Sequence, residues 1–312
     1  MKAEWSNPTG TERSAAESGM KRNRQRILVL ANPTAGGYRP KVLEAVRENL
    51  SRLDVDAEFR LTSHAGEIGE VCSDPDLDVD VLVIAGGDGS VNEAMTGLQD
   101  HPKPPALCLV PFGTANVLAH ELKLPADPGA ISDTLSKGKT RPLHAGLANG
   151  RPFVLMASAG FDAEVVHALP LALKRRFGKL AYVLSAIRIG FRRKTTDLQV
   201  HTNGRSYNAK MVIATNGKYY GGPFCLTREE SVCRPGLHLI LLKHDSPWSM
   251  LRFSLALVRG RLNKEPGALL MPITRATITS VSPVALQIDG DPYGTTPVEI
   301  EAAPACLQIV VP

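Results

Sequence analysis

The sequence predicts an α/β plus β fold: a doubly wound α/β domain at the N-terminal end, followed by a larger β-sandwich-like domain. The chain has 312 residues, which is enough for two domains of ordinary size. Up to about residue 122, short apolar runs alternate with segments whose apolar residues recur at helical spacing. From about Thr140 onward, short alternating strands separated by glycine and proline dominate, which is typical of antiparallel sheets.

The first part of the chain consists of strand–loop–helix units. Ile27–Ala31 is a continuous apolar run, as expected of a strand buried on both faces, and Val42–Leu50 follows it with helical spacing. The later units are strand Ala57–Leu61, helix Gly66–Val71, strand Asp80–Ala85, helix Val91–Leu98, strand Leu107–Val110 and a helix through Leu122. This alternation predicts a parallel sheet with helices on both faces.

The second part of the chain predicts antiparallel sheet interrupted by helices over about Arg176–Phe191 and Pro247–Arg261. The predicted strands are Phe153–Ala159, Asp197–His201, Tyr207–Thr215, Leu237–Leu242, Thr274–Val281, Val284–Ile288 and Leu307–Val311.

Composition narrows the partners and the compartment. The net charge of +5 and the pI near 9.0 favour a nucleotide, a nucleic acid or an anionic membrane surface. The five cysteines include no CxxC pair, so we expect neither a disulfide framework nor a structural zinc site, and we expect a cytoplasmic protein. Residues 1–25 are polar and lack the apolar core of a signal peptide, which predicts a disordered tail.

Glycine-rich loops follow three of the predicted strands. They are Asn32–Gly37, Gly86–Ser90 and Gly113–Asn116, each placed before a helix. Glycine lets backbone N–H groups approach phosphate oxygens, and a helix N-terminus adds partial positive charge. Asp88 would then be a carboxylate suited to a hard cation such as Mg²⁺. A single loop of this kind is usually a tight turn, but three in succession favour phosphate binding.

At these loops the chain resembles the bacterial diacylglycerol kinase-like lipid kinases, a superfamily that includes sphingosine and ceramide kinases. GGDG alone also occurs in NAD kinases and phosphofructokinases, whereas GTAN together with the late IDGD is more specific to lipid kinases. The matching segments are NPTAGG (32–37), GGDGSVNEAMTGL (86–98), PFGTANVLAHEL (111–122), ASAGFDAEVV (157–166) and QIDGDPYGTTPVEI (287–300).

The resemblance implies a nucleotide-binding domain over residues 26–142, to which a C-terminal strand within 300–312 returns, and a lipid-substrate domain over 143–299. It places the active site in the cleft between them. The resemblance implies ATP and Mg²⁺ as cofactors, Asp88 as the metal ligand, and Asp289, Asp291 and Asp88 as the catalytic residues. One of Asp289 and Asp291 would take the proton from the lipid hydroxyl. The implied nucleotide contacts are Asn32, Thr34, Gly36, Gly86, Gly87, Asp88, Gly89, Ser90, Asn92, Gly113, Thr114 and Asn116.

Three positions depart from the family pattern. Val117 and His144 stand where the family usually has aspartate, and Arg234 stands where it has an acid that binds a structural Mg²⁺. These replacements motivate an alternative, a nucleotide- or lipid-binding protein with little catalysis. An NAD kinase-like enzyme with a soluble acceptor is a further alternative, against which GTAN and IDGD argue.

The expected partners are a lipid alcohol substrate and, transiently, an anionic membrane at its inner face. A basic segment over residues 174–194 fits either membrane contact or a core-packed helix with solvated ends. We expect no nucleic acid, because aromatic residues are not interleaved with the basic ones. A homodimer is left open.

Overall fold

The computed structural model describes residues 25–168, 196–228, 231–304 and 306–312. The predicted tail up to residue 24 and the basic segment with its predicted helix (176–191) lie outside the described residues. The described strands are β1 (Ile27–Ala31), β2 (Ala57–Leu61), β3 (Val81–Gly86), β4 (Ala106–Pro111), β5 (Lys139–Leu143), β6 (Gly146–Ala148), β7 (Arg151–Phe153), β8 (Met156–Gly160), β9 (Leu198–Thr202), β10 (Arg205–Ala209), β11 (Met211–Thr215), β12 (Tyr219–Tyr220), β13 (Phe224–Cys225), β14 (Leu237–Leu242), β15 (Ala268–Ile273), β16 (Arg275–Ser280), β17 (Ala285–Ile288), β18 (Asp291–Thr295), β19 (Val298–Ala302) and β20 (Leu307–Val311). The described α-helices are α1 (Pro40–Arg52), α2 (Glu67–Cys72), α3 (Asp88–Gly97), α4 (Val117–Leu122), α5 (Pro128–Lys137), α6 (Phe161–Ala168) and α7 (Pro247–Val258).

The first sheet has the strand order β2-β1-β3-β4-β20-β5. Its first five strands run parallel, and their apolar runs are buried because helices cover both faces. One face packs on α1 and α5 through a core that includes Val29, Val46 and Ile131. The other face packs on α2, α3 and α4. The order reverses between β1 and β3, so the loops after these two strands lie side by side.

The second part of the chain forms two antiparallel sheets that face each other. Their orders are β10-β9-β16-β19-β6-β7 and β15-β14-β11-β8-β17-β18. Inward-facing residues of both sheets, among them Val200, Val212 and Leu286, form one core between them. The predicted fold class, an α/β domain with a β-sandwich-like domain, is therefore confirmed.

Several element predictions were wrong in detail. The first sheet is not wholly parallel, because β5 runs antiparallel to β20. The predicted strand Phe153–Ala159 is two strands, since the chain leaves the sheet at Val154 and Leu155 to donate backbone N–H groups to Asp289. The predicted strand Tyr207–Thr215 is also two, because the chain passes from one sheet to the other at Lys210.

Candidate active site at the carboxyl ends of the parallel strands

The loops after β1, β3 and β4 converge at one edge of the first sheet. A Cβ built on Gly87 would lie 2.9 Å from the Cα of Gly113, and a Cβ on Gly113 would lie 2.6 Å from the Cα of Gly87. Side chains at either position would push the second and third loops apart. The glycines therefore let two backbones meet where a parallel sheet presents its ligands.

The first loop is tied to the other two by hydrogen bonds. The Oδ1 of Asn32 accepts from the backbone N–H (2.9 Å) and the hydroxyl (2.8 Å) of Thr34, and its Nδ2 donates to the Ser90 hydroxyl at 3.3 Å. The backbone N–H of Gly37 donates to the carbonyl of Phe112 at 2.7 Å. Six predicted contact residues of the three loops, Asn32, Thr34, Gly86, Gly87, Ser90 and Gly113, thus lie in one continuous surface.

Two further predicted contacts lie against the same surface. A Cβ on Gly36 would lie 2.9 Å from the Oγ1 of Thr114, so the first and third loops touch there. Asn116 adopts a left-handed conformation with φ +47° and donates its Nδ2 to the Gly113 carbonyl at 2.9 Å. The Asn116 amide therefore holds the third loop in shape rather than reaching outward.

The second loop is shorter than the sequence suggested. α3 begins at Asp88, so Asp88, Gly89 and Ser90 form the first helical turn and not an extended loop. The backbone N–H groups of such a turn lack helical partners and carry the positive end of the helix dipole. The turn adds an anion-friendly group to the glycine surface.

Asp88 caps the neighbouring helix α4. Its carboxylate accepts the backbone N–H groups of Val117 at 3.0 Å and Leu118 at 3.1 Å. The side chain of Asn116, the residue before α4, makes no capping bond, so Asp88 supplies the acceptor from the next loop. In the part of the chain that the structure describes, no three His, Cys, Asp or Glu side chains are grouped as metal ligands.

Asp289 and Asp291 occupy different environments although only Gly290 separates them. Asp289, with φ +48°, and Gly290 form the tight turn between β17 and β18. The Asp289 carboxylate accepts four hydrogen bonds of 2.8–2.9 Å from the Nδ2 of Asn92 and the backbone N–H groups of Val154, Leu155 and Met156. Burial raises the pKa of Asp289 to about 6, against the opposing effect of these donors.

Asn92 lies in the junction between the two domains and not on the glycine surface. Its Nδ2 donates both to Asp289 and to the carbonyl of Pro152, at 2.9 Å each, and its side chain is buried. The structure thus gives Asn92 the task of joining α3 to the second domain.

Asp291 reaches the first turn of α3. Its Oδ2 lies 3.3 Å from the position that a Cβ on Gly89 would take. The charge of Asp291 also acts on Glu93, one turn further along α3, whose pKa is raised mainly by burial and additionally by Asp291. Of the two aspartates in the turn, Asp291 is the one brought against the predicted phosphate-binding surface.

A polar network that sequence reasoning missed supports this turn from behind. The Oε1 of Gln287 accepts the Gly290 backbone N–H at 2.7 Å, and its Nε2 donates to Ser158 and Asp162. Asp162 also accepts the hydroxyls of Ser158 and Tyr220, and burial raises its pKa. The signal was available, because Asp162 and Gln287 both stand inside the motifs that carried the resemblance.

Glu121 was also missed, and it makes a second link between the domains. From α4, its carboxylate accepts the backbone N–H groups of Lys218 (2.8 Å) and Val232 (3.0 Å) in the second domain. Burial raises the pKa of Glu121. His120 beside it contacts the ring of Tyr219, with ring centroids 4.7 Å apart.

The three departures from the family pattern lie in distinct surroundings. Val117 is buried at the start of α4. His144 is half-buried, and burial lowers its pKa, which favours the neutral ring. Arg234 is exposed. None of the three offers an anionic oxygen to a cation.

Known proteins match the chain over both domains. The family model described as "Diacylglycerol kinase catalytic domain" matches residues 26–148, and "YegS C-terminal NAD kinase beta sandwich-like domain" matches residues 156–311, which is half of the chain. The chain belongs to the bacterial diacylglycerol kinase-like lipid kinase family. It is therefore a lipid kinase, and its family implies the use of a nucleotide.

Relatives and solved structures agree with this assignment. The chain is 26% identical to a diacylglycerol kinase of Bacillus subtilis, over 92% of this chain and 97% of that protein. It is 25% identical to a diacylglycerol kinase of Staphylococcus aureus over 88% of each chain. A crystal structure of a putative diacylglycerol kinase from Bacillus anthracis shares the fold, with a TM-score of 0.80, 23% identity and coverage of 94% of this chain and 97% of that one. No helix among the described residues is long and apolar enough to cross a membrane.

Proposed function

We propose that this lipid kinase transfers the γ-phosphate of ATP to the hydroxyl group of diacylglycerol or a similar lipid alcohol. The observation that carries the proposal is the convergence of three glycine-rich loops with a carboxylate, Asp291, that comes from the other domain. Phosphoryl transfer mainly requires positioning, charge neutralisation and a group that accepts the proton of the attacking hydroxyl.

The glycine surface is suited to the triphosphate. Gly87 and Gly113 keep Cβ atoms out of the place where two loops meet, and the first turn of α3 offers backbone N–H groups. Asn32 and Thr34 are locked to each other and to Ser90, so this edge of the surface is preorganised. We assign the nucleotide phosphates to this surface.

We assign the general base to Asp291 rather than Asp289. Asp289 already accepts four hydrogen bonds, so proton transfer to it would disrupt the junction between α3 and the second domain. Asp291 lies against Gly89 on the predicted phosphate surface, where a lipid hydroxyl must arrive for in-line attack. Aspartate is shorter than the glutamate more usual in the family, and the tight turn at Gly290 compensates by bringing Asp291 close to α3.

Magnesium fits this site only as a partner of the nucleotide. The described residues contain no ready group of three ligands, and the Asp88 carboxylate already accepts two N–H groups of α4. When bound with ATP, Mg²⁺ neutralises charge on the phosphate oxygens. In this arrangement Asp88 holds α4 against the second loop, and its spare lone pairs face the same region.

A second candidate function is a nucleotide- or lipid-binding protein with little catalysis. Val117 and Arg234 favour it, because an apolar and a cationic side chain stand where the family binds cations. An NAD kinase-like reaction with a soluble acceptor remains the third candidate.

Phase partition of labelled phosphate separates these functions. Purified protein is incubated with γ-labelled ATP, Mg²⁺ and diacylglycerol in detergent micelles, and the mixture is extracted with organic solvent. We expect label in the lipid phase, and a loss of about 100-fold or more for Asp291→Asn. The exposed Glu58 on β2 provides a control, Glu58→Gln, that keeps full turnover. Label confined to the aqueous phase, or full activity of Asp291→Asn, would contradict the proposal.

A further inference from the structure

Helix α7 carries apolar side chains on two opposite faces. Phe253 and Ala256 are buried against the second domain. On the far side, Trp248, Leu251, Leu255 and Val258 are 68%, 49%, 42% and 63% exposed, and we call these four residues the outer stripe. Their spacing of three, four and three residues places them in one row along about three turns of helix.

The outer stripe belongs to a well-formed helix and not to a frayed end. The Ser246 hydroxyl accepts the Ser249 backbone N–H at 3.2 Å, and Pro247 occupies the first turn, where proline favours helix. Single exposed apolar residues are ordinary on a protein surface, whereas a continuous row opposite a helix's own packing face marks an interaction site. Within the ranges that the structure describes, the large exposed fractions show that nothing covers this row.

Basic side chains surround the outer stripe. Between Lys243 and Glu265 the chain has five lysines and arginines and two acids. Arg252 and Arg259 are exposed beside the stripe on the same flank of the helix, and Arg261 and Lys264 are exposed just beyond its end. The acids are half-buried, and Glu265 is engaged by Arg252 at 2.7 Å.

We propose that α7 is a docking helix that lies in the surface of an anionic lipid bilayer. An apolar row flanked by cations matches the acyl–headgroup boundary, where apolar side chains enter the acyl region and Lys and Arg meet lipid phosphates. A second copy of this chain fits less well, because a two-fold contact through the stripe would bring two sets of arginines together.

The position of α7 connects this surface to the active site. α7 packs on β13, which pairs with β12, and Tyr219 of β12 contacts His120 of α4. The inference rests on the proposed function only in that a lipid acceptor gives the docking surface its use. Docking itself is measured without ATP, so its failure and a failure of kinase activity are separate results.

Vesicle co-sedimentation of the full chain tests the proposal. We expect binding to vesicles of phosphatidylcholine mixed with phosphatidylglycerol, weaker binding to phosphatidylcholine alone, and a loss of about 10-fold or more for Leu251→Ser combined with Leu255→Ser. Leu61→Ser is the matched control, since Leu61 is 55% exposed on β2, far from α7 in the fold, and it should bind as the native chain does. Equal binding by the stripe variant, or no binding by the native chain, overturns the proposal.

Two further measurements exclude a variant that has lost its fold or a surface that serves another partner. Trp5→Phe leaves Trp248 as the sole tryptophan, and its emission should shift to shorter wavelength on addition of the anionic vesicles. The stripe variant should keep the native turnover of a short-chain, water-soluble diacylglycerol. A dimer that the stripe variant abolishes, without any response of Trp248 to vesicles, overturns the proposal in favour of a second copy.

Discussion

At the residue scale, the two aspartates of the turn between β17 and β18 divide structure from chemistry. Asp289 is surrounded by four N–H donors, and Asp291 lies against Gly89 of α3. The sequence motif shows two equivalent carboxylates, because hydrogen-bond partners from α3 and from the residues before β8 are far away along the chain. Only the folded arrangement distinguishes them.

We predict that Asp289→Asn and Asp291→Asn fail in different ways. An amide at position 289 turns one acceptor into a donor facing other donors, which should lower the free energy of unfolding by about 1–3 kcal/mol. Asp291→Asn should lose turnover while its free energy of unfolding changes by less than about 1 kcal/mol. Urea unfolding beside the transfer assay measures both quantities. Equal destabilisation by the two substitutions would contradict the division of roles.

Glu67 predicts how stability responds to acid. The N–H and hydroxyl of Ser63 and the guanidinium of Arg60 lower the pKa of Glu67 to about 2. Because the unfolded chain binds this proton more readily, the stability that Glu67 contributes is complete above a pH of about 4.3 and is lost as the pH falls toward 2. Glu67→Gln should therefore flatten the acid limb of a plot of unfolding free energy against pH, and an unchanged limb would refute the assignment.

At the scale of elements, apolar runs and helical spacing were enough to predict β1 to β4 and the helices between them. Two helices were missed. α5 begins with Asp127 and Pro128, a strong start signal, and the Asp127 carboxylate accepts the Ala130 N–H at 3.0 Å. α6 follows directly on β8, so no turn residue marks its start.

The cap of α5 gives a prediction for that helix. Asp127→Ala should lower the free energy of unfolding by about 1 kcal/mol, because the N–H of Ala130 loses its acceptor. Asp127→Asn, which keeps an acceptor oxygen, is the matched control and should cost less. Thermal unfolding of the three proteins measures the difference, and equal stability of the alanine and native forms would show that the cap contributes nothing.

The crossing of the second and third loops gives a further prediction. Gly113→Ala would place a Cβ 2.6 Å from the Cα of Gly87, so the loops must separate. We expect affinity for ATP to fall by about 10-fold or more, since the backbone N–H groups no longer share one surface. Gly204→Ala is a control elsewhere in the chain, where a Cβ meets no atom within 4 Å, although its φ of +70° adds local strain. Unchanged nucleotide affinity for Gly113→Ala in titration calorimetry would contradict this role of the crossing.

At the scale of the whole molecule, two polar links fix the domains around the cleft. Asn92 of α3 bonds Asp289, and Glu121 of α4 bonds the N–H groups of Lys218 and Val232. The fold class and the three loops could be predicted, because they depend on local patterns in the chain. The links could not, since each joins residues about 100 to 200 positions apart and depends on how the domains meet.

The central claim is that ATP phosphates bind the glycine surface within reach of Asp291. A crystal structure of the protein with a non-hydrolysable ATP analogue and Mg²⁺ tests it most directly. We predict that the β- and γ-phosphates contact backbone N–H groups of Gly87–Ser90 and of the loop at Gly113, with the γ-phosphate facing the Asp291 carboxylate. A triphosphate bound elsewhere, with these loops unchanged from the structure described above, would contradict the account.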